Sequence, residues 1–500
     1  MYVNSPSAFY LYRRSLRCVV AAAGLLLAAC GGGGGSSGAP AAVAPVVVVA
    51  RPVVNLALTP ASVPAGQPVT ITWSATDAAT CFASGAWLGA RGSSGSMVVT
   101  PAAAGTFTYH LTCTGSGGSG SGSGAVVLGV TAVGAPGNVA QVVVDGGPAG
   151  VGRIVNLPFV NVTVCRPGTA LCATVDHVLV DTGSTGLRIF DAALAALALP
   201  PVSGASGKVV GECAQFVSGV LWGSVRTADV KIAGETAASI SIQQVADTSL
   251  ASIPGSCASA GANLSTVAAL GAKGILGVGL FKQDCGAACA ALAIAGTYYE
   301  CTATTCTSVA MPLARQVANP VIAFGTNNNG VVLVMPVAPP GGAATLAGAL
   351  IFGINTQSNN QIGPATIYAT NSVGNFTTLY KGSTLTSSFL DSGSNALFFA
   401  DATIPLCALS PGFYCPAATL ALSAVNTSPV NGASGTVSFT LENVDQLDNS
   451  VSAASLGGGA GRRFRRNTFD WGAPFFFGRT VFVAIEGADP RSGTGPYWAY

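Results

Sequence analysis

Residues 178–184 read Val-Leu-Val-Asp-Thr-Gly-Ser, and residues 388–394 read Ser-Phe-Leu-Asp-Ser-Gly-Ser. In each segment, apolar residues precede an aspartate, and a glycine follows it after one hydroxyl-bearing residue. The apolar residues predict a buried strand, and the glycine allows a sharp turn that brings the carboxyl group to the surface of a core. Two such motifs in one chain indicate two related halves.

A shorter signal follows each copy of this motif. Gly-Ile-Leu-Gly ends at Gly277, 96 residues after Asp181, and Phe-Phe-Phe-Gly ends at Gly478, 87 residues after Asp391. Because both signals come in the same order, the sequence predicts a duplicated lobe in which Gly277 and Gly478 occupy equivalent places.

Two carboxyl groups that face each other in a cleft have a defined chemistry. Like charges at short distance cannot both ionise, so the pair holds one proton. The ionised partner can then take a proton from water, while the protonated partner donates one to the carbonyl oxygen of an amide. If the two lobes face each other, Asp181 and Asp391 can hydrolyse a peptide bond in this way without a cofactor or a metal ion.

The two heptapeptides resemble the active-site loops of the pepsin-like aspartic peptidases. Gly277 and Gly478 resemble the glycines of the strands beside those loops, and residues 348–355 resemble a strand of the family's second lobe. The similarity covers roughly residues 140 to 490. It implies an all-β, two-lobed acid-protease fold in which Asp181 and Asp391 are the catalytic residues.

The resemblance also implies roles for the neighbours of the aspartates. The hydroxyl residue after each aspartate would bond to the opposite loop, and the serine two positions further on would donate to the outer carboxylate oxygen. The expected supporting residues are Thr182, Gly183, Ser184, Ser392, Gly393 and Ser394.

The sequence departs from the family at the flap, the hairpin that covers the cleft. Phe216 takes the place of the family's flap tyrosine, and Arg188 stands where the family usually has the tryptophan that partners it. Because a phenyl ring lacks the tyrosine hydroxyl, the flap is expected to be held differently.

Composition and charge limit the function classes. Half of the 500 residues are apolar, only 8% are charged, and 65 are glycine, which favours a β-rich protein with many turns over a disordered chain. Removing residues 1–29 removes three arginines and no acidic residue, which leaves a nearly neutral chain. Four arginines between 462 and 466 form a local cluster, interpreted as a solvated loop. We expect no nucleic-acid partner.

The N-terminal segment resembles a bacterial lipoprotein signal. Basic residues precede an apolar run at 18–29 that is too short to span a bilayer. The run leads into Leu-Ala-Ala-Cys, so residues 1–29 are predicted as a signal peptide and Cys30 as the lipidated residue. The alternative is an ordinary signal peptide with an incidental cysteine. Since Gly31 is not aspartate, we expect the outer membrane of a two-membrane bacterium.

Twelve cysteines remain after Cys18 leaves with the signal and Cys30 is acylated, and an even number in an exported protein predicts disulfides. Four pairs are close in sequence, Cys165/Cys172, Cys285/Cys289, Cys301/Cys306 and Cys407/Cys415, and the other candidates are Cys81, Cys113, Cys213 and Cys257. A bond from Cys81 to Cys113 is expected to close an N-terminal sandwich. Metal binding competes with this interpretation but is disfavoured by the chain's two histidines.

A separate domain is predicted before the two lobes. Residues 30–51 indicate a flexible tether. Residues 52–133 resemble an immunoglobulin-like β-sandwich, because segments such as 69–73 and 106–113 alternate between apolar and polar side chains. Residues 115–124 are expected to form a Gly/Ser loop.

Two functions from different classes follow for the predicted lobes, residues 138–325 and 326–500. The first is an endopeptidase, acting as a monomer on proteins or peptides at the cell surface or in the periplasm. The second is a binding or structural surface protein that keeps the fold without activity. The retention of both aspartates favours the first, and the altered flap favours the second.

Overall fold

The computed structural model describes residues 50–64, 68–101, 105–115, 120–131, 137–459, 467–488 and 493–500. These residues form thirty strands and only short helices, so the predicted all-β class is confirmed. The chain divides between residues 135 and 136 into two compact units. The predicted signal peptide, Cys30 and the four arginines between 462 and 466 lie outside the described residues. Within the described ranges, no helix has the length and apolar character needed to cross a membrane.

The first unit is a small β-sandwich. Its strands are β1 (Val53–Thr59), β2 (Ser62–Pro64), β3 (Val69–Thr76), β4 (Ala78–Gly85), β5 (Gly89–Arg91), β6 (Ser94–Val99), β7 (Gly105–Gly115) and β8 (Ser121–Thr131). One sheet has the order β1-β3-β6, and the other has the order β2-β8-β7-β4-β5. The alternating residues of β3 and β7 bury Ile71 and Leu111 in one shared core, as a half-buried strand requires.

Two details of this unit differ from the sequence predictions. Cys81 and Cys113 are bonded, but they lie opposite each other on neighbouring strands β4 and β7 of one sheet. The disulfide therefore ties two strands together and does not close the sandwich. Ser121–Gly124 belongs to β8, not to a loop. A Cβ atom on Gly124 would lie 3.1 Å from the carbonyl oxygen of Val54, so the backbone of Val54 leaves little room for a side chain at this position.

The first lobe of the second unit contains ten strands. They are β9 (Val139–Val144), β10 (Pro158–Cys165), β11 (Cys172–Asp181), β12 (Thr185–Phe190), β13 (Val209–Gln215), β14 (Val220–Ile232), β15 (Glu235–Val245), β16 (Gly274–Val278), β17 (Tyr298–Cys301) and β18 (Cys306–Ser308). Its short helices are α1 (Asp191–Leu194), α2 (Gly255–Ala258), α3 (Val267–Leu270) and α4 (Ala287–Ala291), with 3-10 turns at Ala195–Leu197, Leu313–Arg315 and Pro320–Ala323.

The second lobe contains twelve strands. They are β19 (Gly330–Val334), β20 (Leu346–Phe352), β21 (Ile367–Ala369), β22 (Phe376–Tyr380), β23 (Ser383–Asp391), β24 (Leu397–Phe399), β25 (Leu420–Thr427), β26 (Ser434–Leu441), β27 (Gly457–Gly459), β28 (Asp470–Gly472), β29 (Thr480–Ala484) and β30 (Tyr497–Ala499). Helix α5 spans Ala473–Phe476, and a 3-10 turn spans Val444–Gln446.

One sheet runs through both lobes. It has fifteen strands in the order β18-β17-β13-β14-β15-β12-β16-β11-β10-β9-β20-β19-β29-β30-β21. The lobes join where β9 pairs with β10 on one side and with β20 on the other. A second sheet, β26-β25-β22-β23-β28-β24-β27, belongs to the second lobe alone. A continuous apolar core extends over both lobes and fixes the ends of β11 and β23 against each other.

All twelve candidate cysteines are paired, which confirms the predicted use of disulfides. The bonds are Cys81–Cys113, Cys165–Cys172, Cys213–Cys257, Cys285–Cys289, Cys301–Cys306 and Cys407–Cys415. Five of the six lie in the second unit, and each links residues within one lobe.

Candidate active site

The first aspartate stands at the end of a buried strand. Strand β11 runs parallel to β16, with Asp181 opposite Gly277, and the chain returns as β12 on the other side of β16. A Cβ atom on Gly277 would lie 2.7 Å from the backbone of Thr185. Only glycine therefore lets β16 pass between the strands that enter and leave the Asp181 loop.

The second aspartate has the same surroundings, but its partner glycine is not the predicted one. Strand β23 runs parallel to β28, which places Asp391 opposite Gly472. A Cβ atom on Gly472 would overlap the carbonyl oxygen of Ala396 and lie 2.7 Å from that of Ser394. The assignment of Gly478 was therefore wrong. Gly478 follows α5, where an added Cβ would meet Val337.

The two aspartate side chains lie side by side and are hydrogen-bonded to each other. Both are fully buried, with 0% of their surface exposed. A Cβ atom on Gly183 would lie 2.5 Å from Cγ of Asp391, and one on Gly393 would lie 2.8 Å from Cγ of Asp181. The bare backbone of these two glycines is what lets the carboxyl groups approach.

Each carboxyl group is oriented by its own loop. Oδ1 of Asp181 accepts hydrogen bonds from the backbone N–H groups of Gly183 (2.8 Å) and Ser184 (3.1 Å), and Oδ2 accepts one from the Ser184 hydroxyl (2.6 Å). Oδ1 of Asp391 accepts from the N–H of Gly393 (2.8 Å), and Oδ2 accepts from the Ser394 hydroxyl (2.9 Å). The structure thus places these loop residues where the sequence predicted contacts.

The loops also lock to each other. The hydroxyl of Thr182 accepts from the N–H of Ser392 (2.9 Å), and the hydroxyl of Ser392 accepts from the N–H of Thr182 (3.1 Å). Each hydroxyl in turn donates to a carbonyl oxygen of the opposite strand, Thr182 to Leu390 (3.3 Å) and Ser392 to Val180 (2.7 Å). These four reciprocal bonds hold the two loops in register across the lobe boundary.

The electrostatics distinguish the two acids. Burial, the neighbouring charge of Asp181 and that of Asp470 raise the pKa of Asp391 well above its usual range. Like charges at this distance cannot both ionise, and the raised pKa of Asp391 makes Asp391 the partner that holds the proton.

A third buried acid, Asp470, lies beside the pair and was not predicted. Its Oδ2 atom is 2.7 Å from the Ser394 hydroxyl, the same hydroxyl that contacts Asp391. Burial raises the pKa of Asp470 well above its usual range, and the charge of Asp181 adds to this rise. The sequence signal was Phe-Asp-Trp-Gly at 469–472, in which an acidic residue interrupts the apolar pattern expected of a partner strand.

Phe216 and Arg188 belong to one structure at the turn of the flap hairpin. Phe216 begins the turn between β13 and β14, where its N–H donates to the carbonyl of Gly219 (2.8 Å). The Arg188 guanidinium is buried, with its carbon 5.9 Å from the centre of the Phe216 ring. Its Nη2 atom lies 2.6 Å from Glu212 on β13 and 3.3 Å from Asp284. An ion-pair network thus occupies the positions at which the sequence resemblance led us to expect a tryptophan–tyrosine pair.

A cavity of about 990 Å³ opens beside the Asp181 loop. The first lobe contributes Thr182, Gly183 and Asp284 to its lining, and the second contributes Asn371, Phe389 and Trp498. The cavity therefore lies between the lobes, next to the loop that carries one of the paired aspartates.

Comparison with known proteins gives a family and a remote structural likeness. A family model described as "Protein of unknown function (DUF3443)" matches residues 134–500. The search of curated proteins returned no match. Among solved structures, the chain is similar to an aspartic proteinase from Irpex lacteus, with 17% sequence identity and a TM-score of 0.38 over 72% of this chain and 96% of that chain.

The strand pairings of the chain itself describe a two-lobed, all-β architecture. Two β-lobes share a sheet, and each sends one Asp-Thr/Ser-Gly loop to the other. The family match spans both lobes and both aspartates. The chain belongs to the family described as "Protein of unknown function (DUF3443)".

Proposed function

We propose that the protein is an aspartic endopeptidase that cleaves proteins or peptides with a water molecule activated by Asp181 and Asp391. The observation that carries this proposal is the hydrogen-bonded, fully buried pair of carboxyl groups, one from each lobe. A merely structural pair of buried acids would be costly, because two carboxyl groups held side by side repel each other when both are ionised.

In the proposed reaction, Asp181 accepts a proton from the water molecule as the water oxygen attacks the amide carbon. Asp391 donates its proton to the carbonyl oxygen, which gives a tetrahedral diol. When the C–N bond breaks, Asp181 gives the proton it took from water to the leaving nitrogen, and Asp391 takes a proton from one hydroxyl of the diol. This yields a carboxylic acid and an amine, and the pair again holds one proton on Asp391. The locked loops keep the carboxyl groups in place throughout, so little reorganisation is needed during the reaction.

The cavity supports an extended polypeptide as the substrate. Its volume of about 990 Å³ accommodates several amino-acid side chains. Its lining mixes backbone groups of Gly183 and Gly279 with apolar residues such as Phe281 and Leu313. Backbone groups can pair with a peptide main chain whatever its sequence, and the apolar residues can receive its side chains.

We further propose that the protein acts as a monomer outside the cytoplasm, held to a membrane by a lipid on Cys30, with the outer membrane as its destination. The support is the lipobox-like sequence together with six disulfides, which are typical of oxidising compartments. Cys30→Ala should move the protein from the membrane to the soluble fraction or block its processing. If the signal peptide of this variant is removed normally and the protein stays in the membrane fraction, the proposal of a lipid anchor is refuted.

The flap favours a second candidate, a binding protein without peptidase activity. Phe216 has no hydroxyl group with which to hold the flap, and its side chain is buried in the first lobe, with 7% exposed. Such a protein would bind extended chains in the cleft and leave them intact.

One digestion experiment separates the two candidates. Purified protein is incubated with an unfolded protein substrate across acidic to neutral pH, with and without a statine-type inhibitor, whose hydroxyl imitates the tetrahedral diol. The matched control is Asp448→Asn, which changes an exposed aspartate far from the pair in sequence. The peptidase proposal expects cleavage that the inhibitor suppresses and the control retains. Binding of the substrate without cleavage at any pH would favour the binding protein.

A further inference from the structure

We propose that Asp470 is a positioning residue of the site, which shares a proton with Asp391 through the Ser394 hydroxyl and so sets the protonation state of the aspartate pair. Its effect on catalysis rests on the peptidase function proposed above. The proton sharing itself is a property of the resting protein and can be tested without activity.

Comparison of the two lobes shows that Asp470 is specific to one of them. In the first lobe, Leu179 lies opposite Ile275, two residues before the partner glycine. In the second lobe, Phe389 lies opposite Asp470, again two residues before the partner glycine. The same place in the duplicated structure is thus apolar in one lobe and acidic in the other. A strand at this position does not require a carboxyl group, so the acid needs another explanation.

The Ser394 hydroxyl lies between two carboxylate oxygens. Its distances are 2.9 Å to Oδ2 of Asp391 and 2.7 Å to Oδ2 of Asp470. A hydroxyl has one hydrogen and can donate to only one of them. The other contact is a hydrogen bond only if that carboxyl group is protonated and donates to the serine oxygen. In the first lobe, by contrast, the Ser184 hydroxyl contacts Asp181 alone among the described residues.

No positive charge compensates Asp470 within the part of the chain that the structure describes. The charged groups that act on it are Asp391 and Asp181, both acidic. Its strand β28 lies between β23, which carries Asp391, and β24, which has only apolar residues. Oδ1 of Asp470 has no hydrogen-bond partner among the described residues. These surroundings favour the protonated form of Asp470. Its Oδ2 atom forms a hydrogen bond with the Ser394 hydroxyl, which connects it to Asp391.

Two arrangements of one proton follow from this geometry. In the first, Asp470 is protonated and donates to Ser394, and Ser394 donates to Oδ2 of Asp391. In the second, Asp391 donates from Oδ2 to Ser394, and Ser394 donates to ionised Asp470. In the first arrangement, Asp391 is ionised and accepts a hydrogen bond from Ser394 that stabilises its charge. In the second arrangement, Asp391 is protonated and accepts no hydrogen bond from Ser394. Ionised Asp470 therefore keeps Asp391 protonated to higher pH.

Asp470→Asn tests this coupling. The amide has no charge and can donate permanently to Ser394, so it imitates protonated Asp470. The titration midpoint of Asp391 should fall by about one pH unit, because the variant lacks the negative charge that Asp470 acquires on ionising and that opposes ionisation of Asp391. If the protein is active, the alkaline limb of its pH–rate profile should move to lower pH by a similar amount. The control Asp448→Asn should leave both unchanged.

The primary measurement is the titration of carboxyl carbons by NMR in the full chain, which needs no catalytic activity. Proton sharing predicts that Asp470→Asn moves the Asp391 midpoint and that Asp391→Asn moves the Asp470 midpoint. If Asp470→Asn does not fold, Ser394→Ala keeps both acids and should change the midpoints of both by removing the bridge. Midpoints that stay unchanged in these variants would overturn the proposal. An inactive protein with coupled midpoints would instead refute only the peptidase function.

Discussion

Gly472→Ala provides a quantitative test of how the second aspartate loop is built. The new methyl group would overlap the carbonyl oxygen of Ala396 and lie 2.7 Å from that of Ser394 and 2.8 Å from the carbonyl carbon of Ala396. All three atoms are backbone atoms of the loop that holds Asp391, so a rotamer change cannot relieve the overlap. Overpacking of this kind costs about 1–3 kcal/mol and occasionally more. Because the loop must move as a unit, we expect about 3 kcal/mol.

The measurement is the denaturant midpoint of the second unit, followed by tryptophan fluorescence. Gly255→Ala serves as a matched control, because an added Cβ there has no atom within 4 Å, and its effect should be within about 0.5 kcal/mol. Gly478→Ala should cost about 1 kcal/mol through its φ of +77°, and it should leave the aspartate pair intact. If Gly472→Ala is as stable as Gly255→Ala, the proposed packing of β28 against the loop is refuted.

Two further predictions concern the buried charges. Arg188→Met should destabilise the first lobe by about 3–5 kcal/mol, because it leaves two buried carboxyl groups without their cation. Chemical denaturation would measure this loss of stability, and a loss below about 1 kcal/mol would contradict the buried network. Since burial raises the pKa of Asp391 and Asp470, their stabilising effect is full below about pH 4 and is lost as pH rises through their folded-state pKa values. The free energy of unfolding should therefore decrease from acidic towards neutral pH, by up to about 1.4 kcal/mol per pH unit for each proton released. If a variant with asparagine at both positions shows the same dependence on pH, the two acids are not its cause.

The sequence was sufficient to predict the two aspartate loops because their structure depends on local features. An apolar strand, a carboxyl group and a glycine turn are all encoded within seven residues, and the structure brings both copies together. The alternation of β3 and β7 is also local, so these strands of the sandwich were predictable from their apolar periodicity.

The partner strand of the second loop was not predictable in the same way. Phe-Phe-Phe-Gly at 475–478 matches an apolar partner strand better than Phe-Asp-Trp-Gly at 469–472, yet the latter pairs with β23. The choice depends on which glycine fits beneath Ala396, which is a tertiary contact. Asp470 interrupts the apolar pattern by which β28 would have been recognised in the sequence, and the same residue contacts Ser394.

The flap illustrates a second limit of sequence reasoning. The replacement of an aromatic pair by Phe216 and Arg188 was visible in the sequence, but its consequence was not. Arg188 pairs with Glu212 on the flap strand and with Asp284, which is 96 residues away in the chain. Only the fold shows that these residues form one buried network.

We propose that Asp181 and Asp391 act together as one hydrolytic site. The most direct test of this proposal is the initial rate of cleavage of an unfolded protein by the wild type, Asp181→Asn and Asp391→Asn at the pH optimum. Circular dichroism shows that the variants are folded, and Asp448→Asn is the control. Each paired variant should lose activity by roughly a thousandfold or more, because each carboxyl group performs a separate proton transfer. Cleavage at the wild-type rate by either folded variant would contradict the account.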